Sequence, residues 1–287
     1  MNIKSASEID LIHLRKWIGQ PSIAIDVVGS GIAEKYHATF DHKDPPPQAG
    51  ECVPPLFHFC MAQPAAPTAS LGLDGHPGRG GFLPPVPLPR RMWAGGSLTF
   101  HKPLNVGDQI RRTSSVSDVA LKEGRAGPLC FVTVEHRIEA NSVLAIEERQ
   151  DIVYRGFDPS PRQTSTSPAA AAKGEYVRPI KVGATHLFRY SALTFNSHRI
   201  HYDREYAVEV EGYPGLVVHG PFQAALLADF AVEIKGRRPA RFKFRGVSPL
   251  FDDDAFSLNA ASDGSGLKFW TEKEDGTVCM TAEAHWS

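Results

Sequence analysis

Apolar and polar positions along this 287-residue chain change period several times, and the clearest period lies beyond residue 218. In HGPFQAALLADFAVEI (219–234), Phe222, Leu226, Phe230 and Ile234 recur every fourth residue, supported by Ala225. That spacing predicts a helix with a buried stripe. Pro221 suits its first turn, and Gly236 among Lys235, Arg237 and Arg238 is a C-terminal stop. Downstream, RFKFRGV, AFSLNAAS and GLKFWTEKEDGTVCMTAEA read as strands. The last is a predicted hairpin: Asp275-Gly276 suits a tight turn, and Val278, Met280, Ala282 and Ala284 alternate after it. One long helix before a run of antiparallel strands predicts a sheet curled around that helix.

The first half carries a similar tail. SLTFHKPLNVGDQIRRTSSVSDVALKEG and GPLCFVTVEHRIEANSVLAIEERQDIVYRG together predict three antiparallel strands. In the middle one, Thr133, Glu135 and Arg137 alternate with Val132, Val134 and His136. Between 62 and 91 lies a long Pro/Gly segment, of the kind that in a compact domain is either a functional cover or disordered. FDPSPRQTSTSPAAAAKGE (157–175) has no apolar period and is read as a linker. The chain therefore divides into 1–156, a linker at 157–175, and 176–287, with the halves resembling a diverged duplication.

Composition excludes several partner classes. A net charge of −1 gives no overall field toward nucleic acid or an anionic membrane, so neither is expected as a partner. No apolar run approaches the length of a membrane span, and the N-terminus lacks the apolar core of a secretion signal. Cys52, Cys60, Cys130 and Cys279 show no CxxC spacing and are read as reduced thiols of a cytoplasmic protein.

The densest chemistry lies in RYSALTFNSHRIHYDREYA (189–207), where Asn196 and His201 stand five apart with His198 and Arg199 between. No G-x-S-x-G elbow is present, and His198 and His201 lack a matched carboxylate for a metal, so none is expected. General acid/base work by an imidazole held by a neighbouring amide fits better. The competing reading is that His201 caps a helix or fills a polar hole in the core. In GLVVHGPF (215–222), Gly220 opens the predicted helix, where a backbone N–H can stabilise a developing oxyanion; a tight strand–helix joint is the alternative. Lys235, Arg237, Arg238, Arg241, Lys243 and Arg245 form a basic cluster that could hold phosphates or simply be solvated. GSGIAEK fails the dinucleotide fingerprint, and FDDDAF (251–256) is read as a solvated turn.

Asn196-Ser-His-Arg-Ile-His201 and His219-Gly220-Pro221 together resemble the MaoC-like hydratases and dehydratases, which carry an acid-x4-His signature and a later H-G opening the central helix. GGFLPPVPLPRRMWAGGSLTFHKPLNVGD and RYSALTFNSHRIHYD are similar to a narrower branch of the family. It contains mitochondrial-type 3-hydroxyacyl-thioester dehydratases and bacterial hydratases of 3-methylfumaryl-CoA and itaconyl-CoA. The resemblance spans nearly the whole chain. It implies an α+β double hot-dog fold, two curved antiparallel sheets each around a helix, with one active site in the C-terminal half and an N-terminal half covering the acyl tunnel.

The implied reaction is reversible addition of water to a 2-enoyl thioester, with His201 as base, Asn196 holding the water and the Gly220 N–H on the enolate oxygen. The family has Asp at the position of Asn196, and an amide cannot take that proton at neutral pH. His198 stands where the family has Asn and is placed with the substrate-binding residues. CoA phosphates are expected on Lys235, Arg241 and Lys243, and an acyl carboxylate on Arg90, Arg91 or Arg199. A CoA thioester is thus the expected substrate, with no cofactor, and the protein is expected to be a homo-oligomer. The alternatives are an acyl-carrier-protein dehydratase, with a longer apolar tunnel and no acyl-end Arg, and a non-catalytic acyl-thioester binding protein.

Overall fold

The computed structural model describes residues 5–124, 127–156 and 174–286. A strand, a helix and then four strands occur twice along the chain, with a further helix of different length and place in each round. A one-turn helix α1 (Leu11–Leu14) precedes β1 (Pro21–Val27) and α2 (Ser30–Thr39). After a long irregular stretch come β2 (Arg90–Phe100), β3 (Gln109–Gly124), β4 (Gly127–Ala140) and β5 (Val143–Arg155). The second round is β6 (Tyr176–Ile180), α3 (Ala184–Leu193), α4 (Gly220–Lys235), β7 (Arg241–Gly246), β8 (Phe256–Asp263), β9 (Gly266–Lys273) and β10 (Val278–His285).

All ten strands join one antiparallel sheet in the order β1-β3-β4-β5-β2-β7-β10-β9-β8-β6. Read from either end, the order of counterparts is the same, so the duplication is written in the topology. This is a double hot-dog, joined at its middle by β2 and β7. The seam pairs Gly95 with Arg245 and Gly96 with Phe244. A Cβ on Gly95 would stand 2.5 Å from the Phe244 carbonyl oxygen, and one on Gly96 2.7 Å from that of Arg149, so only glycine permits this approach. The sequence reading expects three strands in this half; the structure has five among the described residues, with β1 near the start and β2 beginning at Arg90 and running through those glycines.

Helix α4 begins with Pro221 in its first turn and ends at Gly236 with φ +65°. Its predicted stripe is buried at Phe222, Leu226 and Phe230, and Ile234 is partly buried. Ala224, Ala225, Ala228 and Ala231 are also fully enclosed, so the helix is wrapped on nearly all sides rather than along one face. The first half holds no comparable helix among its described residues. Between Phe40 and Pro89 there are only the short turns Phe57–Cys60 and Thr68–Ser70. Repeated prolines there remove backbone donors that a helix would need. The concave face of β3, β4 and β5 consequently forms the wall of a large cleft of about 2130 Å³.

The linker predicted at 157–175 lies outside the described residues except for Gly174 and Glu175. Glu175 Oε1 accepts the Ser262 N–H at 3.1 Å. FDDDAF is more than a solvated turn: Asp252 pairs with Arg204 and accepts the Leu216 N–H at 3.0 Å, while Asp254 takes Lys273 at 2.6 Å.

Candidate active site

Helix α3 ends in a sharp change of direction at Phe195, whose φ of +51° is left-handed. The turn delivers Asn196 to the cleft wall. Its Oδ1 accepts the His198 N–H at 3.0 Å, so the group it can offer a water molecule is the Nδ2 donor. His201 closes the next short turn and is buried. Its Nδ1 lies 2.7 Å from the Val217 carbonyl oxygen and must donate there, which leaves the Nε2 lone pair as an acceptor.

The His201 ring stacks on His219 with centroids 3.6 Å apart and planes 20° from parallel. His219 in turn meets Ser191 Oγ through Nε2 at 2.8 Å. Burial pushes the His201 pKa down to about 4, a shift opposed by the Val217 bond and reinforced by His76. Burial, then the His201 ring, holds His219 well below the ordinary histidine range, and His198 is lowered by burial and by His76. Two stacked imidazoles can share this space only while neutral.

That has a measurable cost in acid. Each of the three gains a proton more readily unfolded than folded, so its contribution to stability is complete above the unfolded pKa near 6.5 and falls as pH drops below it. The slope is up to ~1.4 kcal/mol per pH unit for each histidine. Urea midpoints measured at pH 7.5 and 5.0 should therefore differ clearly, with the lower value at pH 5.0. Equal midpoints would contradict the buried neutral stack.

Gly220 leads α4, and its N–H makes no hydrogen bond among the described residues. A Cβ there would meet only Met280 and the Trp93 carbonyl at 3.8 Å, an ordinary contact. The space beside this N–H is therefore room that the protein's own packing does not require.

The surprise of the site comes from the N-terminal half. Residues 72–79 (GLDGHPGR) dock on the loop from Asn196 to His201: Ser197 Oγ donates to the Gly75 carbonyl, and the Arg199 N–H donates to that of Asp74 at 2.9 Å. Gly75 has φ +85°, and a Cβ on it would fall 1.9 Å from the Ser197 carbonyl oxygen. His76 Nδ1 lies 3.0 Å from Asp74 Oδ2, and its ring lies 4.0 Å from that of His198. Burial alone would raise the Asp74 pKa, but His76 and Arg91 bring it to about 2. Asp74, His76 and His198 place polar atoms within 4.8 Å of one another, spacing a cation could use; as they stand, Asp74 is satisfied by His76. The long loop is thus a cover, as its length suggests, but nothing local in GLDGHPGRGG marks His76 as a site residue.

The predicted cations separate. Arg91 lines the cleft, bonds Tyr154 and acts electrostatically on Asp74, His76 and His198. Arg90 is committed to Glu211 at 3.0 Å, and Arg199 to Asp203 at 2.8 Å with its guanidinium over Tyr206. Lys235 lies over Trp286 at the far end of α4, some ~22 Å from Gly220 at the helical rise. Arg241 and Lys243 sit on the exposed face of β7; of the basic cluster, Arg245 is the member that lines the cleft.

The cleft floor on β3, β4 and β5 is polar. His58 Nε2 meets Glu148 at 3.2 Å, and His136 bridges Ser114 Oγ at 2.6 Å and Gln150 at 3.1 Å. Beside them Arg112 has no hydrogen bond or ion pair among the described residues, and its Nε is buried. Burial lowers the Arg112 pKa against the attraction of Glu148. The sequence does carry a signal for this floor, since Arg112, His136 and Glu148 occupy the inward parity of their strands.

The hydroxyacyl-thioester dehydratase type 2 family model matches residues 56–252. The mesaconyl-C(4)-CoA hydratase of Chloroflexus aurantiacus is 43% identical over 269 residues, 93% of this chain and 95% of that protein. The mitochondrial hydroxyacyl-thioester dehydratase type 2 of Schizosaccharomyces pombe is 26% identical over 244 residues, 74% of this chain and 78% of that protein. The crystal structure of HtdX from Mycobacterium tuberculosis covers 93% of this chain and 100% of its own at 18% identity, with a TM-score of 0.67. A second M. tuberculosis structure, described as a double hot-dog, covers 93% of this chain and 95% of its own at 12% identity and a TM-score of 0.61. The cleft with its stacked imidazoles at the head of α4 is thus set in a chain that belongs to the hydroxyacyl-thioester dehydratase type 2 family, a hydro-lyase of the MaoC-like double hot-dog group.

Proposed function

We propose that this enzyme adds water to 3-methylfumaryl-CoA. Counted from the thioester carbonyl, this is the same compound as a mesaconyl-C(4) ester. The observation that carries the reading is the cationic, polar lining of the cleft. A tunnel for a long fatty acyl chain would be apolar, whereas here Arg112 stands without a partner on the floor and Arg91 beside the histidines. A guanidinium that feels Glu148 but makes no hydrogen bond or ion pair with it has donors left for a carboxylate that the substrate brings.

Conjugation with the thioester makes Cβ electrophilic. His201 Nε2 takes a proton from a water held by Asn196 Nδ2 as its oxygen bonds to Cβ. The π electrons move to the thioester oxygen, where the Gly220 N–H stabilises the enolate. Itaconyl-CoA, the other C5 ester, has its double bond out of conjugation with the thioester and would need a shift before this chemistry. CoA phosphates are placed near Arg245 at the cleft rather than on Lys235, Arg241 and Lys243. The reading places the enzyme in the cytoplasm, in keeping with its four free cysteines, and as a homo-oligomer; no helix of the structure is long and apolar enough to cross a membrane.

The test is loss of enoyl-thioester absorbance with 3-methylfumaryl-CoA, itaconyl-CoA, crotonyl-CoA and a crotonyl carrier protein. The dicarboxylic 2-enoyl ester should lead crotonyl-CoA in kcat/KM by ~10–100-fold, the worth of a charged hydrogen bond. Arg112→Met and Arg91→Met should each erode that ratio while sparing crotonyl-CoA. A preference for the carrier substrate supports the fatty acid dehydratase reading instead, and binding without turnover the idle scaffold.

A further inference from the structure

Hydration needs two proton transfers, one off the water and one onto Cα. With an amide at Asn196, His201 is the one group of the C-terminal half so far assigned to either. We propose that His76, carried on the N-terminal half and oriented by Asp74, is the catalytic residue that delivers the proton to Cα. The inference rests on the hydratase reading above and names the group that completes it.

Three observations carry it. His76 lines the same cleft as Asn196, His201 and Gly220, so the loop brings it to the site rather than to solvent. Asp74 holds it twice, accepting the His76 N–H through Oδ1 and facing Nδ1 through Oδ2, both at 3.0 Å. This fixes the ring so that Nε2 is the nitrogen left to exchange a proton. Third, the loop is clamped, with Gly75 against Ser197 and the Leu73 and Asp74 carbonyls on Arg199, so the ring has a defined place.

The step balances as follows. With the dicarboxylic ester bound, His201 starts neutral and His76 protonated against the Asp74 carboxylate. Water loses a proton to His201 as its oxygen bonds to Cβ, and the C=C electrons form the enolate. The enolate then takes the Nε2 proton of His76 at Cα, and the thioester carbonyl is restored. One proton must return from His201 to His76, and the His198 ring lies between them, at 4.0 Å from one and 5.4 Å from the other.

In the free enzyme burial, reinforced by Arg91 and Arg79, lowers the His76 pKa against the opposing pull of Asp74. His198 packs on its face, and His201 responds to its charge. A bound acyl carboxylate and the developing enolate add negative charge and favour the imidazolium during turnover.

Hydration of 3-methylfumaryl-CoA by the full-length protein, followed from pH 5 to 9, tests this. His76→Gln should lower kcat by ~10²–10³-fold with KM within a few-fold of the parent. In Asp74→Asn the alkaline limb of kcat should move to lower pH, because the required imidazolium loses its counter-charge. Added imidazole should restore part of the activity of His76→Ala, which a loop that merely lost its place would not allow. A His76→Gln enzyme within ~3-fold of an active parent overturns the assignment, as does an unmoved alkaline limb in Asp74→Asn. Activity that a chelator abolishes and zinc restores also overturns it, assigning the cluster to a cation. A parent that hydrates none of the esters overturns the functional reading itself, a result separate from these.

Discussion

His201→Ala is expected to lower kcat for hydration by roughly 10²–10⁴-fold, the usual worth of a positioned base, with a smaller change in KM. The expectation follows from commitment of the two ring nitrogens. Nδ1 is spent on the Val217 carbonyl at 2.7 Å, so the tautomer is set and Nε2 can only accept. Burial keeps the ring neutral down to about pH 4, so its base form is present throughout the neutral range. The acid limb of the rate profile should accordingly lie well below 6.5 in the parent. Asn196→Asp should move that limb upward, since a carboxylate near His201 favours the imidazolium. A polar replacement that keeps the Val217 bond, His201→Asn, should preserve the fold and still lose turnover. Retained activity in either His201 variant would assign the ring to the packing of the stack with His219.

Gly75→Ala is expected to cost ~10²-fold in kcat/KM although glycine has no side chain to offer the chemistry, because displacement of a catalytic group by an ångström has that scale. The new Cβ would stand 1.9 Å from the Ser197 carbonyl oxygen, and the φ of +85° is itself unfavourable for alanine. Either the cover withdraws or the Asn196–His201 loop gives way, and in both cases His76 and His201 part. Stability should change little, because the clash can be relieved by undocking a surface loop rather than by opening the core. A melting temperature close to the parent's, together with the loss of activity, is the expected signature. A variant with parental kcat/KM would show that the loop's docking has no part in turnover.

Much of the C-terminal half is legible because its signals are local. Helix α4 is bounded by Pro221 and Gly236, and β9 and β10 turn where Asp275-Gly276 predicts. The segment from Asn196 to His201, read as a candidate acid/base pair, lines the cleft, and His219-Gly220 heads a helix as expected, since each reading depends on a few consecutive residues. The basic cluster shows the limit of that approach. Arg241 and Lys243 are dense in sequence, yet strand parity turns them to the outer face of β7, and Lys235 sits a helix length from the chemistry.

Local signals sufficed for where α4 starts and stops, which strands alternate, and His198 and His201 as imidazoles in a polar loop, though not for His76. Periodicity, capping and turn preference act over a few residues and need no partner. Only the tertiary structure decided the assembly of the site. The Gly95-Gly96 seam merges two sheets into one and sets the floor of Arg112, His136 and Glu148 opposite the head of α4. Docking of residues 72–79 places His76 beside His198 across more than a hundred residues of chain. These contacts are long-range pairings between surfaces, and no periodicity within a segment encodes which distant surface it will meet.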